Sequence, residues 1–320
     1  MNNTKKNKQE RTIDYVHIYI TRKCNLHCLH CFTESDSQIE EILPVSFWKN
    51  AIKQLVEMNV KCIHIEGGEA LLYPGIEEIV EYITSSGVKE LLIVTNGILA
   101  TQEKLEKIKK AGLKKIAISL DSFHEDIHNA LRPNSCKHAI KAIENAVKMG
   151  FYTRVSMVIN KKNVFYLYDT IERLYEMGVR TVNIDWFNSA GRGQKLYNEF
   201  AIKETDILEL EKFETAVYKI LTNKKYSNFN ISIDLPQWYE NRNSFMVSDT
   251  QRTHYLECDA INNQISINEI GNVYPCFIFS NGKGELGNLN RSTLIEILNN
   301  KKKLKCPIGS YKHLFFLPST

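Results

Sequence analysis

Short apolar runs alternate with amphipathic helical segments through the first 190 residues of the chain. Six runs have the length and composition of buried strands, and they span residues 13–20, 60–66, 90–95, 114–120, 152–159 and 180–186. The segments between them have helical periodicity and span residues 46–58, 75–86, 102–111, 135–149 and 163–177. Glycine follows several of these helices, as is common at a helix end. Strands alternating with helices predict βαβ units in a parallel sheet.

Six such units with right-handed crossovers predict an α/β fold, a partial (β/α)6 barrel. The alternative is a doubly wound open sheet. A further helix at 204–221 and a strand at 230–234 follow the sixth unit. Beyond them the pattern changes to a short strand at 264–268 and a short helix at 292–298, typical of a small α+β extension.

Three regions are predicted from this change of pattern. Residues 1–12 are polar and are expected to form a disordered tail. Residues 13–235 form the barrel together with a bridging helix, and residues 236–320 form the small C-terminal domain.

Composition and charge indicate the class of protein and the cellular compartment. Apolar residues make up 43% of the chain and charged residues 24%, which is ordinary for a soluble globular protein. The net charge of +4 is too weak to indicate a nucleic-acid partner. No secretory signal and no membrane-spanning run is found, so a cytoplasmic location is expected and no membrane partner. In a reducing compartment, the eight cysteines are better explained as ligands, redox groups or buried thiols than as disulfides.

Chemically suggestive residues gather where the predicted strands end. A cysteine-rich loop follows the first strand, Gly67-Gly68-Glu69 follows the second, Asn96 follows the third, and Ser119 and Asp121 follow the fourth. In parallel barrels the carboxyl ends of the strands meet at one face and form the active site. These stretches are therefore expected to lie together.

The cysteine-rich loop reads C-x₃-C-x₂-C, with Cys24, Cys28 and Cys31. Thiolates this close can face one point, and soft sulfur ligands suit iron–sulfur clusters or zinc. Structural zinc usually has four ligands in two separated pairs. Three cysteines instead favour a cubic cluster with one iron open to a ligand. The alternative is a zinc site with His27 or His30 as the fourth ligand.

This loop resembles the signature of the radical S-adenosylmethionine (SAM) enzymes, C-x₃-C-x-(aromatic)-C. His30 occupies the aromatic position, and Phe32 follows the last cysteine. The resemblance implies a [4Fe-4S] cluster, SAM as cofactor, and an electron donor such as flavodoxin or ferredoxin. It also implies reductive cleavage of SAM to a 5′-deoxyadenosyl radical that abstracts hydrogen from a substrate.

The resemblance extends to the SAM contacts. Gly67-Gly68-Glu69 is similar to the family segment that receives the methionine amino group. Asn96 and Ser119 resemble its polar contacts to methionine and ribose, and Arg132 resembles the arginine that meets the methionine carboxylate. The implied cofactor-binding residues are Phe32, Gly67, Gly68, Glu69, Asn96, Ser119, Asp121 and Arg132. Taken alone, Asn96 is equally a turn residue and Ser119 a strand-end hydroxyl.

The C-terminal region resembles the SPASM/twitch extension, which binds auxiliary iron–sulfur clusters. The similar features are Cys258, Gly271-x₄-Cys276, Gly287-Asn288-Leu289 and Cys306. The family pattern has more cysteines, so at most one auxiliary cluster is implied, held by Cys258, Cys276 and Cys306. Its fourth ligand is left open among His254, Asp259, His313 and a substrate thiolate. The alternative is that this cluster has been lost.

Two cysteines remain. Cys62 begins the second strand, at the end away from the predicted site, and is expected to be a buried thiol. Cys136 follows Ser135 at a helix N-terminus, a position that lowers a thiol pKa. Two interpretations of Cys136 are kept: a structural thiol, or a hydrogen donor to a substrate radical.

Three functions are compared. The first is modification of a ribosomally made peptide by a thioether, a C–C crosslink or epimerisation, which the SPASM-like region suggests. Against it, no separate peptide-recognition domain is expected before the barrel. The second is oxidation or dehydration of a small molecule, a sugar or aminocyclitol. The third is a non-catalytic zinc-binding protein.

Overall fold

The protein is described by a computed structural model that covers residues 13–236, 238–239, 253–257, 263–276, 284–299 and 312–316. Twelve strands of these residues form one sheet. The strands are β1 (Tyr15–Tyr19), β2 (Cys62–Glu66), β3 (Glu90–Thr95), β4 (Lys115–Ser119), β5 (Tyr152–Ile159), β6 (Thr181–Trp186), β7 (Asn230–Leu235), β8 (Thr253–Glu257), β9 (Gln264–Ile267), β10 (Asn272–Tyr274), β11 (Gly287–Asn288) and β12 (Lys312–Phe316).

The helices of the described residues lie between these strands. They are α1 (Val45–Glu57), α2 (Ile76–Ser85), α3 (Gln102–Lys110), α4 (Glu125–Asn129), α5 (Cys136–Lys148), α6 (Leu167–Glu176), α7 (Tyr197–Phe200), α8 (Ile207–Thr222) and α9 (Leu294–Asn299). Short 3₁₀ turns occur at Ala70–Leu72, Val164–Tyr166, Gly191–Leu196 and Lys224–Tyr226. The predicted strands and long helices agree with these elements to within a few residues. The short helix α4, inside the connection after β4, was not predicted.

The sheet order decides between the two predicted architectures. It runs β11-β10-β9-β1-β2-β3-β4-β5-β6-β7-β12-β8, with β1 to β7 in chain order and each parallel to its neighbour. A doubly wound sheet needs a point where the strand order reverses, and none occurs from β1 to β7. The partial barrel is therefore confirmed. The sheet extends beyond the six predicted units, because β7 pairs in parallel with β6 and β9 pairs in parallel with β1.

Alternate residues of each strand point to opposite faces. Val16 and Ile18 of β1 are almost fully buried in the core that the sheet forms with its helices. His17 and Tyr19 face the other way, and His17 is hydrogen-bonded to Glu66 on β2. We call this second face of β1 to β7 and β9 the lumen. Its polar residues explain why these strands are not uniformly apolar in sequence.

Of the predicted regions, residues 1–12 and most of 237–252 lie outside the described residues, so the domain boundaries remain predictions. In the part of the chain that the structure describes, none of the helices has the length and apolar character needed to cross a membrane.

Candidate active site

The cysteine loop leaves β1 and is tied back on itself. A β-bridge joins Lys23 to Asp36, and the Cys24 N–H donates to the Asp36 carbonyl at 3.1 Å. Within the loop the Cys31 N–H donates to the Cys28 carbonyl at 3.2 Å. The Cys24 thiol is buried, while Cys28 and Cys31 are partly exposed. The backbone therefore holds all three thiols in one short loop at the carboxyl end of the barrel.

The spacing of the thiols distinguishes a cluster from a single metal ion. Sulfur ligands of one tetrahedral zinc lie about 3.8 Å apart, because each Zn–S bond is about 2.3 Å long. Among the described residues, Cys24, Cys28 and Cys31 do not form a group whose ligand atoms all lie within 4.8 Å of one another. At least one pair of these thiols is therefore more than 4.8 Å apart, which is compatible with a four-iron cluster, in which each thiolate binds a different iron.

The two histidines proposed as a fourth zinc ligand point elsewhere. His27 is largely exposed, and its Nδ1 lies 2.8 Å from Asp36 Oδ2. His30 packs against Phe187, with ring centroids 6.2 Å apart, and burial lowers its pKa to about 3. Burial also raises the pKa of Cys24 to about 12 and that of Cys28 to about 11, the latter against the charge of Arg132. These thiols ionise when they coordinate a metal.

Gly67 and Gly68 are required by the close approach of the cysteine loop. A Cβ on Gly67 would lie 2.4 Å from the Thr21 carbonyl oxygen, and one on Gly68 would lie 2.3 Å from that of Lys23. The Gly68 N–H donates to Thr21 O at 2.7 Å, and the Glu69 N–H donates to Lys23 O at 2.9 Å. The sequence explained these glycines by access for a ligand, whereas the structure shows that the chain itself needs them. Their contact with SAM remains a prediction.

Glu69 is 1% exposed and accepts three hydrogen bonds. The donors are the Leu71 N–H at 3.1 Å, the Thr95 hydroxyl at 2.8 Å and the Asn96 N–H at 2.8 Å. Burial nevertheless raises the pKa of this carboxyl. A cationic amine beside Glu69 would stabilise its ionised form, which agrees with the predicted role of the segment.

Asn96 has the turn role that the sequence left open, and its contact with SAM remains a prediction. Its Oδ1 accepts from the Ile98 N–H at 3.0 Å, as a turn residue does. Its Nδ2 donates to Asn25 Oδ1 at 2.8 Å, and so connects the end of β3 to the cysteine loop. Ser119 is 9% exposed at the end of β4, and its contact with SAM remains a prediction.

Asp121 and Arg132 form a buried ion pair beside the cysteine loop. Arg132 Nε lies 2.7 Å from Asp121 Oδ2, and the two side chains are 12% and 1% exposed. Burial alone would raise the pKa of Asp121, but the charge of Arg132 holds it at about 2. Asp121 accepts hydrogen bonds from Nε and Nη2 of Arg132, on one edge of the guanidinium. The predicted contact with the methionine carboxylate would therefore use the other edge, formed by Nη1 and Nη2.

Sequence reasoning missed Arg192, which follows β6 between Gly191 and Gly193. The Arg192 N–H donates to Cys31 O at 3.1 Å, Nε donates to Cys28 O at 2.9 Å, and Nη1 donates to Ser35 O at 3.0 Å. A Cβ on Gly191 would lie 2.5 Å from the carbonyl oxygens of Cys31 and Phe32. The sequence feature that could have indicated a role for Arg192 is the Gly-Arg-Gly sequence directly after the sixth strand.

Replacing Arg192 with alanine is expected to release one side of the cysteine loop. Residues that orient the ligands of a metal site contribute about 10- to 100-fold to its affinity, so the variant should lose its iron about tenfold faster in the presence of a chelator. Release of iron, followed by visible absorption under anaerobic conditions, measures this. Arg180→Ala is the matched control, because Arg180 also donates to two carbonyls but at the other end of β6. Equal rates for the two variants would contradict the assignment.

The remaining cysteines of the first domain are buried. Cys62 is 5% exposed at the start of β2, as predicted, and burial raises its pKa to about 12. Cys136 is 1% exposed within the core between sheet and helices, and its thiol donates to the Ser122 carbonyl at 3.6 Å. The expected lowering of its pKa is wrong, because burial raises the pKa to about 11.

In the C-terminal region the structure describes one of the three predicted ligands. Cys276 is buried just after β10, and Gln264 Nε2 donates to its sulfur at 3.4 Å. Cys258 and Cys306, and also Asp259, lie outside the described residues, as do the side chains of His254 and His313. The auxiliary ligand set therefore remains a prediction.

A partial barrel with a three-thiol loop and a Gly-Gly-Glu segment at its open end is the arrangement of radical SAM enzymes. Residues 18–174 match the radical SAM superfamily, and residues 258–314 match the SPASM iron–sulfur cluster-binding domain. The chain belongs to the radical SAM enzymes that carry a SPASM domain.

Two curated relatives illustrate this membership. The chain is 26% identical over 285 residues to AlbA, the antilisterial bacteriocin subtilosin biosynthesis protein of Bacillus subtilis, covering 88% of this chain and 58% of that protein. It is 24% identical over 321 residues to the AdoMet-dependent heme synthase of Methanosarcina barkeri, covering 92% and 87%. The chain thus spans little more than half the length of AlbA.

Solved structures share the fold. SuiB of Streptococcus suis bound to S-adenosylmethionine superposes with a TM-score of 0.72 at 19% identity, covering 93% of this chain and 67% of that one. SuiB bound to the precursor peptide SuiA gives a TM-score of 0.70 at 20% identity, with coverage of 90% and 64%.

Membership implies a [4Fe-4S] cluster, SAM and an iron–sulfur-binding C-terminal domain, and the residues present fit the first two. The three thiols lie in one short loop, and the Gly67-Gly68 backbone lies directly against that loop. Cys24, Cys28 and Cys31 would hold the cluster. The Gly-Gly-Glu segment and Arg132 would hold the methionine part of SAM.

Proposed function

We propose that this protein is a radical SAM enzyme that forms a crosslink in a ribosomally made peptide. One observation carries the proposal. The Gly-Gly-Glu segment is joined directly to the cysteine loop by a hydrogen bond from the Gly68 N–H to the Thr21 carbonyl, at 2.7 Å. This contact brings the two predicted cofactor sites together at the open end of the lumen. When bound there, the cluster and SAM supply a 5′-deoxyadenosyl radical, with flavodoxin or ferredoxin as the electron donor.

The protein's own residues orient the reactants and exclude water. The bond from the Leu29 N–H to the carbonyl of Leu131, next to Arg132, and the contacts of Arg192 hold the cysteine loop from two sides. We expect the reacting part of the substrate to bind in the polar lumen below this loop, because barrel active sites lie at the carboxyl ends of the strands.

A peptide substrate is supported by two relatives. AlbA takes part in the biosynthesis of a bacteriocin, and SuiB has been observed with a precursor peptide. The burial of Cys136 supports a thioether or C–C crosslink over an epimerisation that uses this thiol as hydrogen donor. The alternative remains a small-molecule substrate, as the relationship to a heme synthase indicates.

The SPASM match covers Cys258, Cys276 and Cys306. We therefore keep the proposal of one auxiliary cluster held by these three cysteines. The buried Cys276 thiol with its N–H···S contact is a suitable ligand, because hydrogen bonds to sulfur tune such clusters.

The test uses the anaerobically reconstituted enzyme with SAM, a reductant and a short cysteine- or glycine-rich peptide encoded beside its gene. We expect 5′-deoxyadenosine together with loss of two hydrogens from the peptide for each crosslink, as measured by mass spectrometry. The Cys24, Cys28 and Cys31 triple alanine variant is the control without radical chemistry. An unmodified peptide, together with turnover of a sugar or aminocyclitol, would contradict the peptide proposal.

A further inference from the structure

Two histidines and a glutamate meet in the lumen on the first two strands of the barrel. His17 of β1 and His64 of β2 are partners in the parallel register, and Glu66 lies two residues beyond His64, on the same face of β2. Glu66 Oε1 lies 2.7 Å from His17 Nδ1 and 3.8 Å from His64 Nδ1. Each side chain offers one ligand atom, and the three atoms all lie within 4.8 Å of one another. Atoms this close can bind one ion, since the ligands of a tetrahedral metal lie about 3.4 Å apart when each bond is about 2.1 Å long.

Glu66 and His64 are in the protonation states that bind a metal. Burial alone would raise the pKa of Glu66, but the contact with His17 and the charge of Arg154 lower it to about 2. Burial lowers the pKa of His64 to about 3. Metal ligands are ionised carboxylates and neutral imidazoles. At neutral pH an incoming ion therefore displaces no proton from Glu66 or His64.

The carboxylate of Glu66 also lacks a direct ion pair with a lysine or arginine in the described part of the chain. Its ion-pair contacts there are with the rings of His17 and His64, and its side chain is 18% exposed. Arg154 acts on it only from beyond ion-pair distance. A buried carboxylate is ordinarily paired with a cation or bound to a metal, so a cation at this position would complete the site.

A buried hydroxyl beside His17 has no partner among the described residues. Ser266 of β9 pairs in register with His17, so the two side chains are neighbours on the same face of the sheet. Ser266 is 0% exposed, and its Oγ makes no hydrogen bond to those residues. Buried hydroxyls normally have a partner. A water molecule bound to a metal at His17 would provide one.

A second group of potential ligands shares His64 but is less suited to a metal. It consists of Cys62, His64 and Glu90. Glu90 is already paired with Lys115, at 2.5 Å, and burial raises the pKa of Cys62 to about 12. An ion at this second group would have to break an ion pair and displace a thiol proton. The group that contains His17 and Glu66 is therefore favoured.

We propose that His17, His64 and Glu66 bind a divalent transition-metal ion such as zinc in the lumen, separately from the iron–sulfur clusters. Two imidazoles and one carboxylate are the protein ligands of known zinc and non-haem iron sites, which keep a coordination position open. The three ligands lie on two adjacent strands, so the open position faces the interior of the lumen. A water molecule or a donor atom of the substrate would occupy it. The proposal goes beyond the proposed function, because metal binding requires neither SAM nor a peptide.

The experiment uses the anaerobically reconstituted holoenzyme without an affinity tag. It is equilibrated with one equivalent of Zn²⁺ at neutral pH, passed through a desalting column and analysed by metal content and by X-ray absorption at the zinc edge. We expect about one zinc per chain, with nitrogen and oxygen ligands at about 2.0–2.1 Å and no sulfur at about 2.3 Å. Zinc that separates from the protein would overturn the proposal. A sulfur ligand would also overturn it, since it would place the ion at a cysteine.

Variants locate the ion. His64→Gln and Glu66→Gln should each weaken zinc binding by more than about 100-fold, the upper effect of a residue that only orients a ligand. His124→Gln is the matched control and should bind zinc normally, because His124 also lies beside a carboxylate, 3.8 Å from Asp169, but is 43% exposed. Cys62→Ala should likewise keep zinc, and its loss there would assign the ion to the second group and overturn the proposal.

Glu66→Gln is close to isosteric and carries the test if His64→Gln does not fold. Zinc binding of unchanged affinity in Glu66→Gln would refute the site. An enzyme that binds zinc as described but modifies no peptide would support the site and refute only the proposed function. Peptide modification by an enzyme that binds no zinc would refute the site alone.

Discussion

The variant in which Cys24, Cys28 and Cys31 are all replaced with alanine is expected to form no 5′-deoxyadenosine from SAM. Iron–sulfur clusters are held by thiolates, and the loop contains no cysteine other than these three. The loss should be complete, because the radical requires the cluster. Anaerobic incubation with SAM and dithionite, followed by chromatography of the nucleosides, measures it.

Cys62→Ala is the matched control for this variant. Cys62 is as buried as Cys24 but lies at the opposite end of the barrel, at the start of β2. It should retain 5′-deoxyadenosine formation, although loss of a buried side chain lowers stability. Product formation by the triple variant above the level without enzyme would refute the cluster assignment.

The iron content of the same triple variant tests the auxiliary cluster separately. If Cys258, Cys276 and Cys306 hold a cubic cluster, about four irons per chain should remain. A triple variant without iron would exclude the auxiliary cluster while leaving the assignment of the first cluster intact.

Asp121→Ala is expected to lower the free energy of unfolding by about 3–5 kcal/mol, the cost of leaving one partner of a buried ion pair unpaired. The charge left behind is Arg132, whose side chain is 12% exposed. Asp121 also accepts a hydrogen bond from the Val158 N–H at 2.8 Å, which the variant loses. Anaerobic urea unfolding followed by circular dichroism measures the change.

Glu78→Ala provides the comparison with an exposed ion pair. Glu78 is 2.6 Å from Lys49, and their side chains are 55% and 34% exposed. Removal of such a pair costs at most about 1 kcal/mol. The double variant Asp121→Ala with Arg132→Met should recover part of the lost stability, since it removes the unpaired charge. A double variant less stable than Asp121→Ala alone would contradict this explanation.

The Asp121–Arg132 pair also predicts that the free energy of unfolding depends on pH. The pKa of Asp121 is lowered to about 2 in the folded protein, so its contribution is complete above the usual pKa of an aspartate. That contribution is lost as the pH falls from about 4 towards 2. Asp121→Ala should therefore lose less stability than the wild type over this interval.

The sequence predicted those features whose cause is local. Strand and helix positions follow from alternation of apolar residues, and the three cysteines lie within eight residues of one another. Their placement at one end of the barrel follows from the rule that parallel strands share their carboxyl edge. For the same reason Glu69 and Asn96 were correctly expected near the cysteine loop, where Asn96 contacts Asn25.

The tertiary structure decided what depends on contacts between distant parts of the chain. Arg192 binds a carbonyl 164 residues earlier, and Asp185 meets Asp234 only because β6 and β7 pair in register. Cys136 begins a helix, which lowers a thiol pKa, yet burial in the core raises it. Local sequence specifies the helix and its N-terminus. Desolvation and pairing depend on which other segments pack there, and only the folded chain determines that.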